Sequence, residues 1–238
     1  MADPTLSLDA SIQDYWRQRA CGYSLCTQEE LGDDNNAYRA ILKELLPGSH
    51  SGQEALDIGC GPGFLAIELA KLGFESTGLD SCQAMLDQAK NNAQSLNINW
   101  ILSDAAQNPF KDNSFDLIAS RNVVWNLPDP TLAYRQWMRW LKPGGKLIVF
   151  DGNHYRYLTD PSRRDEPHRQ THKHLGQVDI SVMENIAKKL PMSSHDRPAY
   201  DQKLLEEIGF IKINAIVLRR REEVIQDFVI ICEKSHAD

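Results

Sequence analysis

Residues 55–69 read ALDIGCGPGFLAIEL. An apolar run suited to a buried strand gives way to three glycines within five residues, Gly59, Gly61 and Gly63. A second apolar run with a different period follows. Glycine has no Cβ and adopts positive φ without penalty, so a turn this rich in it lets the backbone approach something closely. A strand, a tight turn and a helix in immediate succession also leave the first N–H groups of the helix pointing out of the turn, toward any ligand there.

Outward from this turn the chain alternates. The pattern predicts strands over 55–58, 74–79, 98–102, 115–119 and 146–150, and helices over 64–72, 81–95 and 132–141. Ser81 stands where it can cap the second of these helices. Lys142-Pro143-Gly144-Gly145 reads as a turn ending the third. Strands apolar throughout, alternating with helices, mean a parallel sheet covered on both faces. Upstream, 8–46 reads as two helices around a loop at 29–36, and 47–53 (PGSHSGQ) is a break. After Asp151 the rhythm stops. Residues 152–198 are rich in His, Arg, Asp and Pro, with one helix expected over 178–190. A helix over 200–208 and two strands over 211–218 and 224–233 close the chain. The five-residue link 219–223 suits an antiparallel hairpin. The expected fold is α/β: a doubly wound, mostly parallel seven-stranded sheet with an antiparallel C-terminal hairpin. N-terminal helices (1–46) and an insertion after the fifth strand (152–198) complete one domain over 1–238.

Composition narrows the function. The 238 residues are 42% hydrophobic, enough for a core, and carry 26 Lys and Arg against 33 Asp and Glu, a net charge of −7. That balance argues against general affinity for nucleic acid, which needs a basic surface. The short apolar runs and the absence of a basic, apolar leader point to a cytoplasmic protein with no membrane partner. Five cysteines without a CxxC pair read as reduced thiols.

A ligand is expected at the carboxyl ends of the parallel strands. The dinucleotide fingerprint spaces its glycines G-x-G-x-x-G. Here the third glycine comes one residue early, and Phe64 fills the place where a pyrophosphate would approach, which weighs against a nicotinamide cofactor. Three acids suggest another molecule. Asp57 lies two residues before Gly59 and can hold an ammonium, directly or through water. Asp80 ends the second strand, where a carboxylate takes both ribose hydroxyls; its alternative role is to cap the helix at Ser81. Asp104 follows the third strand, where an acid accepts from an adenine amine. A cationic nucleoside without phosphate fits these three, and S-adenosylmethionine is such a molecule.

At these residues the chain resembles the class I S-adenosylmethionine-dependent methyltransferases, of the small-molecule type akin to the ubiquinone and menaquinone methyltransferases. The matching stretches are LDIGCGPG (56–63), GLD (78–80), SDA (103–105), FDLIASRN (115–122) and LKPGGKLIVFD (141–151). The segment YWRQRACGYS (15–24) resembles the lid helix that some members fold over the cofactor. The resemblance implies a cofactor site made of Tyr15, Tyr23, Asp57, Gly59, Cys60, Gly61, Gly63, Asp80, Ser81, Met85, Asp104, Ala105 and Asn122, with S-adenosyl-L-homocysteine as product. Cys60 reads equally as a small apolar filler.

Methyl transfer from a sulfonium is an in-line displacement, so the protein supplies mainly orientation and a dry site. A protonated acceptor atom is helped by a base, commonly His. His154, three residues past the fifth strand, is the candidate base, with Asn122 and Tyr155 beside it as catalytic candidates. Trp125, Asn153, His154 and Tyr157 are the candidates to meet the substrate. For His154 the alternative is a hydrogen-bonded residue holding the insertion in place. His168, His172 and His174 sit close in sequence, but the stretch is largely charged and polar and no acid or Cys stands at a ligand-like spacing, so no metal is expected. The expected reaction is methyl transfer to a small metabolite. An RNA or protein acceptor, or a non-catalytic partner subunit with the same fold, are the alternatives.

Overall fold

The computed structural model describes residues 7–163, 173–176 and 178–236. A seven-stranded sheet has the order β3-β2-β1-β4-β5-β7-β6. Its strands are β1 (Glu54–Ile58), β2 (Glu75–Asp80), β3 (Asn99–Leu102), β4 (Phe115–Arg121), β5 (Leu141–Gly152), β6 (Ile211–Arg221) and β7 (Val224–Glu233). The first five run parallel; β7 is antiparallel to both β5 and β6. This is the expected α/β architecture. The order reverses between β1 and β4, and the glycine turn stands at that switch.

Side-chain alternation along the strands builds a core on each face. Leu56, Ile58, Ile118, Leu147, Val149, Phe228 and Ile230 face α5 (Pro130–Trp140) and α7 (Ala199–Ile208), where Tyr134, Trp137 and Trp140 are wholly buried. Ala55, Leu117, Ala119, Ile148, Phe150 and Val229 face α2 (Ala37–Leu45) and α3 (Phe64–Lys71) through Leu42, Leu65 and Leu69. A smaller core lies in front of the strand ends. There Ile12 and Tyr15 of α1 (Leu8–Gly32) pack with Trp125 and with Met183 and Ile186 of α6 (Ile180–Ala187).

Several boundaries differ from expectation. Helix α1 runs through Gly32, so the loop expected over 29–36 shrinks to four residues. Its last turn is held by tertiary ties, Glu29 to Lys173 at 2.8 Å and Glu30 to Arg121 at 2.8 Å. Asn36 caps α2 by accepting from the N–H groups of Tyr38 and Arg39. Ser81 does not cap α4 (Gln83–Ala93); Cys82 occupies that position without a side-chain cap, and Asp80 accepts its N–H at 2.8 Å instead. The Lys142–Gly145 segment is not a separate turn. It lies within β5, where the register against β4 shifts between Phe115 and Leu117. There Gly144 donates to Lys234 O and Gly145 O accepts from Lys234 N, so the end of the chain pairs with the irregular strand start. Helix α6 is shorter at both ends than the 178–190 predicted.

Candidate active site

The three glycines of the turn all have positive φ, +62°, +51° and +92°, but for different reasons. A Cβ on Gly59 would collide with the side chain of Val123. One on Gly63 would stand 2.9 Å from the Trp100 ring and 3.1 Å from Ala89 Cβ. Those two serve the packing of the turn against the post-β4 segment and α4. Above Gly61 there is room: a Cβ would meet only the Tyr23 ring, at 3.9 Å. The chain's close backbone approach to a cavity is therefore at Gly61.

That cavity opens at the carboxyl ends of β1, β2 and β4. It encloses about 820 Å³ including its open mouth. Gly59 and Gly61 form one wall with Leu79, Asp80 and Ser81. Met85, Asp104 and Ala105 form a second. The segment after β4 contributes Arg121, Asn122, Val123 and Asn126. Helix α1 crosses the front with Asp9, Ile12, Gln13, Trp16 and Tyr23.

Asp80 is the pivot of this geometry. Its Oδ2 accepts from Gly61 N and its Oδ1 from Cys82 N, both at 2.8 Å. Burial pushes its carboxyl up to about 6, against those N–H groups, which favour the charge. A carboxylate has roughly four lone-pair sites, so two backbone bonds leave acceptor capacity toward the cavity. Asp104 is exposed at the rim, one oxygen taken by Ala106 N at 2.8 Å. Asn122 sits at φ +58° with its N–H on Phe150 O at 2.8 Å, a left-handed residue that turns the chain out of β4 into the cavity wall.

Other expected site residues lie elsewhere. Asp57 is buried beneath the turn, where it accepts Ala66 N at 2.9 Å and fastens α3 to β1. Burial pushes its carboxyl up to about 8, so at neutral pH it is not the standing anion an ammonium would seek. Cys60 is buried in the turn, and burial, with the carboxylates of Asp80 and Asp57, pushes its thiol well up. Tyr15 packs in the front core and not on the cavity wall. Asn153 cannot serve a substrate with its amide: Nδ2 donates to Arg197 O and Ile225 O, and Oδ1 accepts Arg197 N. Tyr157 donates to Glu184 at 2.6 Å, which holds the insertion to α6. His154 stands one side chain behind the wall, its Nε2 at 3.1 Å from Asn122 Oδ1 and its ring edge-on to Trp125. Tyr155 packs on Trp125 with tilted rings at a centroid distance of 5.0 Å, and burial raises its hydroxyl. His168 and His172 lie outside the described residues; His174 pairs with Glu29 at 3.0 Å. Among the described residues no group of three or more His, Cys, Asp or Glu is placed to hold a metal ion, and no helix is long and apolar enough to cross a membrane.

Sequence reasoning missed Arg121 and Asp9. Arg121 ends β4, and its guanidinium lies over the rings of Phe64 and Tyr38, 4.3 and 4.8 Å from their centroids. A charged residue closing an apolar strand is a visible signal; its partner, 91 positions away, is not.

Residues 56–149 match the family described as a methyltransferase domain. A demethylmenaquinone methyltransferase of Staphylococcus aureus is 35% identical over 117 residues, 48% of this chain and 48% of that protein. A ubiquinone biosynthesis O-methyltransferase of Coxiella burnetii is 39% identical over 99 residues, 41% of this chain and 42% of that protein. The matched region thus spans about half the length of the curated relatives. Among solved structures, phosphoethanolamine N-methyltransferase 2 of Haemonchus contortus, in complex with S-adenosyl-L-methionine, superposes with a TM-score of 0.67 at 16% identity, over 98% of this chain and 61% of that one. A methyltransferase of Aquifex aeolicus gives 0.59 at 21%, over 87% and 96%. Fold and match agree: the chain has the α/β fold of these methyltransferase structures, and residues 56–149 match a methyltransferase domain.

Proposed function

We propose that this chain is an S-adenosylmethionine-dependent methyltransferase acting on a small molecule. The observation that carries the reading is the Gly61–Asp80 pair. The one glycine of the turn with open room above it is tied by its N–H to a carboxylate at the end of β2, on the wall of the same cavity. That carboxylate would accept two vicinal hydroxyls, and no cluster of basic side chains suited to a pyrophosphate lines the cavity among the described residues.

The residues present fit that cofactor. Gly61 leaves a cradle that any Cβ would begin to fill. Asp9, Asp80 and Asp104 give the cavity an acidic character suited to a cation, and the Arg121 charge is already met by Glu30. The Oδ1 of Asn126, on the wall, is buried without a partner among the described residues, an acceptor awaiting a donor. When bound, S-adenosylmethionine supplies a methyl group on an electrophilic sulfonium. The protein's part is to hold and orient. Asp80 would take the ribose, Asp104 the adenine amine, and Met85 and Ala105 the flat faces of the base. Asn122 and Tyr23 would face the amino-acid end, and Trp16 would cover the site and exclude water. The substrate would enter past Trp125, Tyr155 and the insertion 152–198. The quinone-pathway names of the matched relatives support a small acceptor.

The test is transfer of labelled methyl from S-adenosylmethionine into a cell extract fractionated into small molecules, RNA and protein. Label among small molecules supports the reading. Label confined to RNA or protein overturns its acceptor class. Failure to bind S-adenosylhomocysteine by calorimetry overturns it altogether.

A further inference from the structure

Behind Asn122 runs a polar chain that the function above leaves unused. Tyr134 donates to Asp201 at 3.0 Å, and Arg197 holds both oxygens of Asp201 at 2.7 Å. Arg197 Nη2 also reaches Asp151 Oδ2 at 3.1 Å. The side chains of Asp151, Arg197 and Asp201 are wholly buried. Asp151, near the end of β5, further accepts the backbone N–H groups of Trp125 at 3.1 Å and Gly152 at 2.8 Å. Burial works against its charge, but Arg197 and His154 outweigh burial and hold its carboxyl below the ordinary range. Its Oδ1 lies 3.5 Å from His154 Nε2. The same Nε2 lies 3.1 Å from Asn122 Oδ1, and Asn122 lines the cavity together with Tyr23 of α1.

Two oxygens therefore face one ring nitrogen. An ionised carboxylate has no proton to give, so Nε2 must be the donor, and in the neutral imidazole the proton resides there. A fixed Nε2–H in turn decides which end of the Asn122 amide faces it. The oxygen turns to His154, which leaves the NH2 for the cavity that Asn122 lines with Tyr23.

We propose that Asp151 and His154 are positioning residues: through the proton they hold on His154 Nε2, they fix the Asn122 amide so that its NH2 faces Tyr23 and the cavity. The donor so presented suits an acceptor oxygen on the bound molecule. This rests on reading the cavity as the methyl-donor site. It also gives His154 a task other than taking a proton from the substrate.

The test combines tautomer and coupling. Nitrogen-15 NMR of the full chain, with the His154 signals assigned by their loss in His154→Gln, should show the Nε2–H tautomer. Asn122→Ala should keep it, because the carboxylate remains. Asp151→Asn should shift the tautomer ratio by about tenfold, the scale of one charge-assisted hydrogen bond. For S-adenosylhomocysteine binding, Asn122→Ala should weaken affinity about tenfold, and Asn122→Ala with Asp151→Asn should be no weaker, since both act through one amide. An Nδ1–H tautomer in the wild type, an unchanged spectrum in Asp151→Asn, or additive losses of affinity would overturn the proposal. If Asp151→Asn does not fold, the wild-type and Asn122→Ala spectra decide it alone. A wild type that shows the Nε2–H tautomer yet binds no S-adenosylhomocysteine would sink the function proposed above and leave the Asp151–His154 geometry standing.

Discussion

The guanidinium of Arg121 grips the carboxylate of Glu30 through two hydrogen bonds, 3.1 and 2.8 Å long. One residue ends β4 on the cavity wall; the other lies in the last turns of the helix that crosses the cavity. Burial disfavours the charge on Arg121, but Glu30 outweighs it and raises the guanidinium further. Removing Glu30 leaves a buried cation without its partner. Glu30→Ala should cost about 2 kcal/mol by chemical denaturation, less than for a fully buried pair because Glu30 is partly exposed. It should also weaken S-adenosylhomocysteine by loosening α1. Glu30→Ala together with Arg121→Met should recover part of the stability, because Met packs on Phe64 and Tyr38 without a charge. A double variant no more stable than Glu30→Ala would contradict this account of the pair.

The centre of the sheet was legible because β1, β2, β4 and β5 are largely buried and helices such as α5 are amphipathic, signals carried within each segment. That Gly61, Asp80 and Asp104 stand at one cavity was legible for the same reason: they lie within a few residues of a strand end. The misread features depend on distant partners. Helix α1 extends past Glu29 because Lys173 and Arg121 hold its end. Asn153 looks like a free amide until Arg197 and Ile225 take it up. Asp57 looks like a ligand-facing acid because sequence gives its proximity to the turn but not that it points beneath it. The three glycines look alike in sequence, yet Gly59 and Gly63 are crowded by Val123 and Trp100, and only Gly59 and Gly61 line the cavity.

That difference among the glycines separates two variants. Gly61→Val should fold, with a stability loss of about 1–2 kcal/mol for a side chain at positive φ, and should abolish S-adenosylhomocysteine binding. Gly63→Ala places a Cβ against Trp100 and Ala89 as well as in a strained conformation. It should cost more stability, about 2–4 kcal/mol. Thermal melts with calorimetry check both. Retained binding in Gly61→Val would remove the close approach at that residue.

The Asp80 carboxyl, pushed up to about 6, sets a pH limit on binding. Hydroxyl donors favour the ionised form, so the bound state should hold Asp80 ionised to lower pH than the free state does. Affinity for S-adenosylhomocysteine should be flat above about pH 7 and fall as pH drops through about 6, by up to tenfold per unit. Asp80→Asn should weaken binding by about tenfold or more and flatten that limb. Calorimetry across this range decides it; a wild-type affinity indifferent to pH would remove Asp80 from the ligand.

Asp57 makes the opposite kind of claim, about stability. Its folded value, about 8, stands above the ordinary 3.8 because the carboxyl is buried. The folded state therefore keeps a proton that the unfolded chain has already released. Stability from this group is greatest below about pH 4 and declines as pH rises to about 8, beyond which the loss is complete. Asp57→Asn keeps an oxygen for Ala66 N and cannot ionise. Its melting temperature relative to the wild type should rise steadily between about pH 5 and about pH 8.5, because only the wild type suffers burial of a charge. A difference that stays constant across that range would mean that Asp57 is already ionised in the folded protein, and that the bond from Ala66 together with the charge of Arg121 offsets its burial.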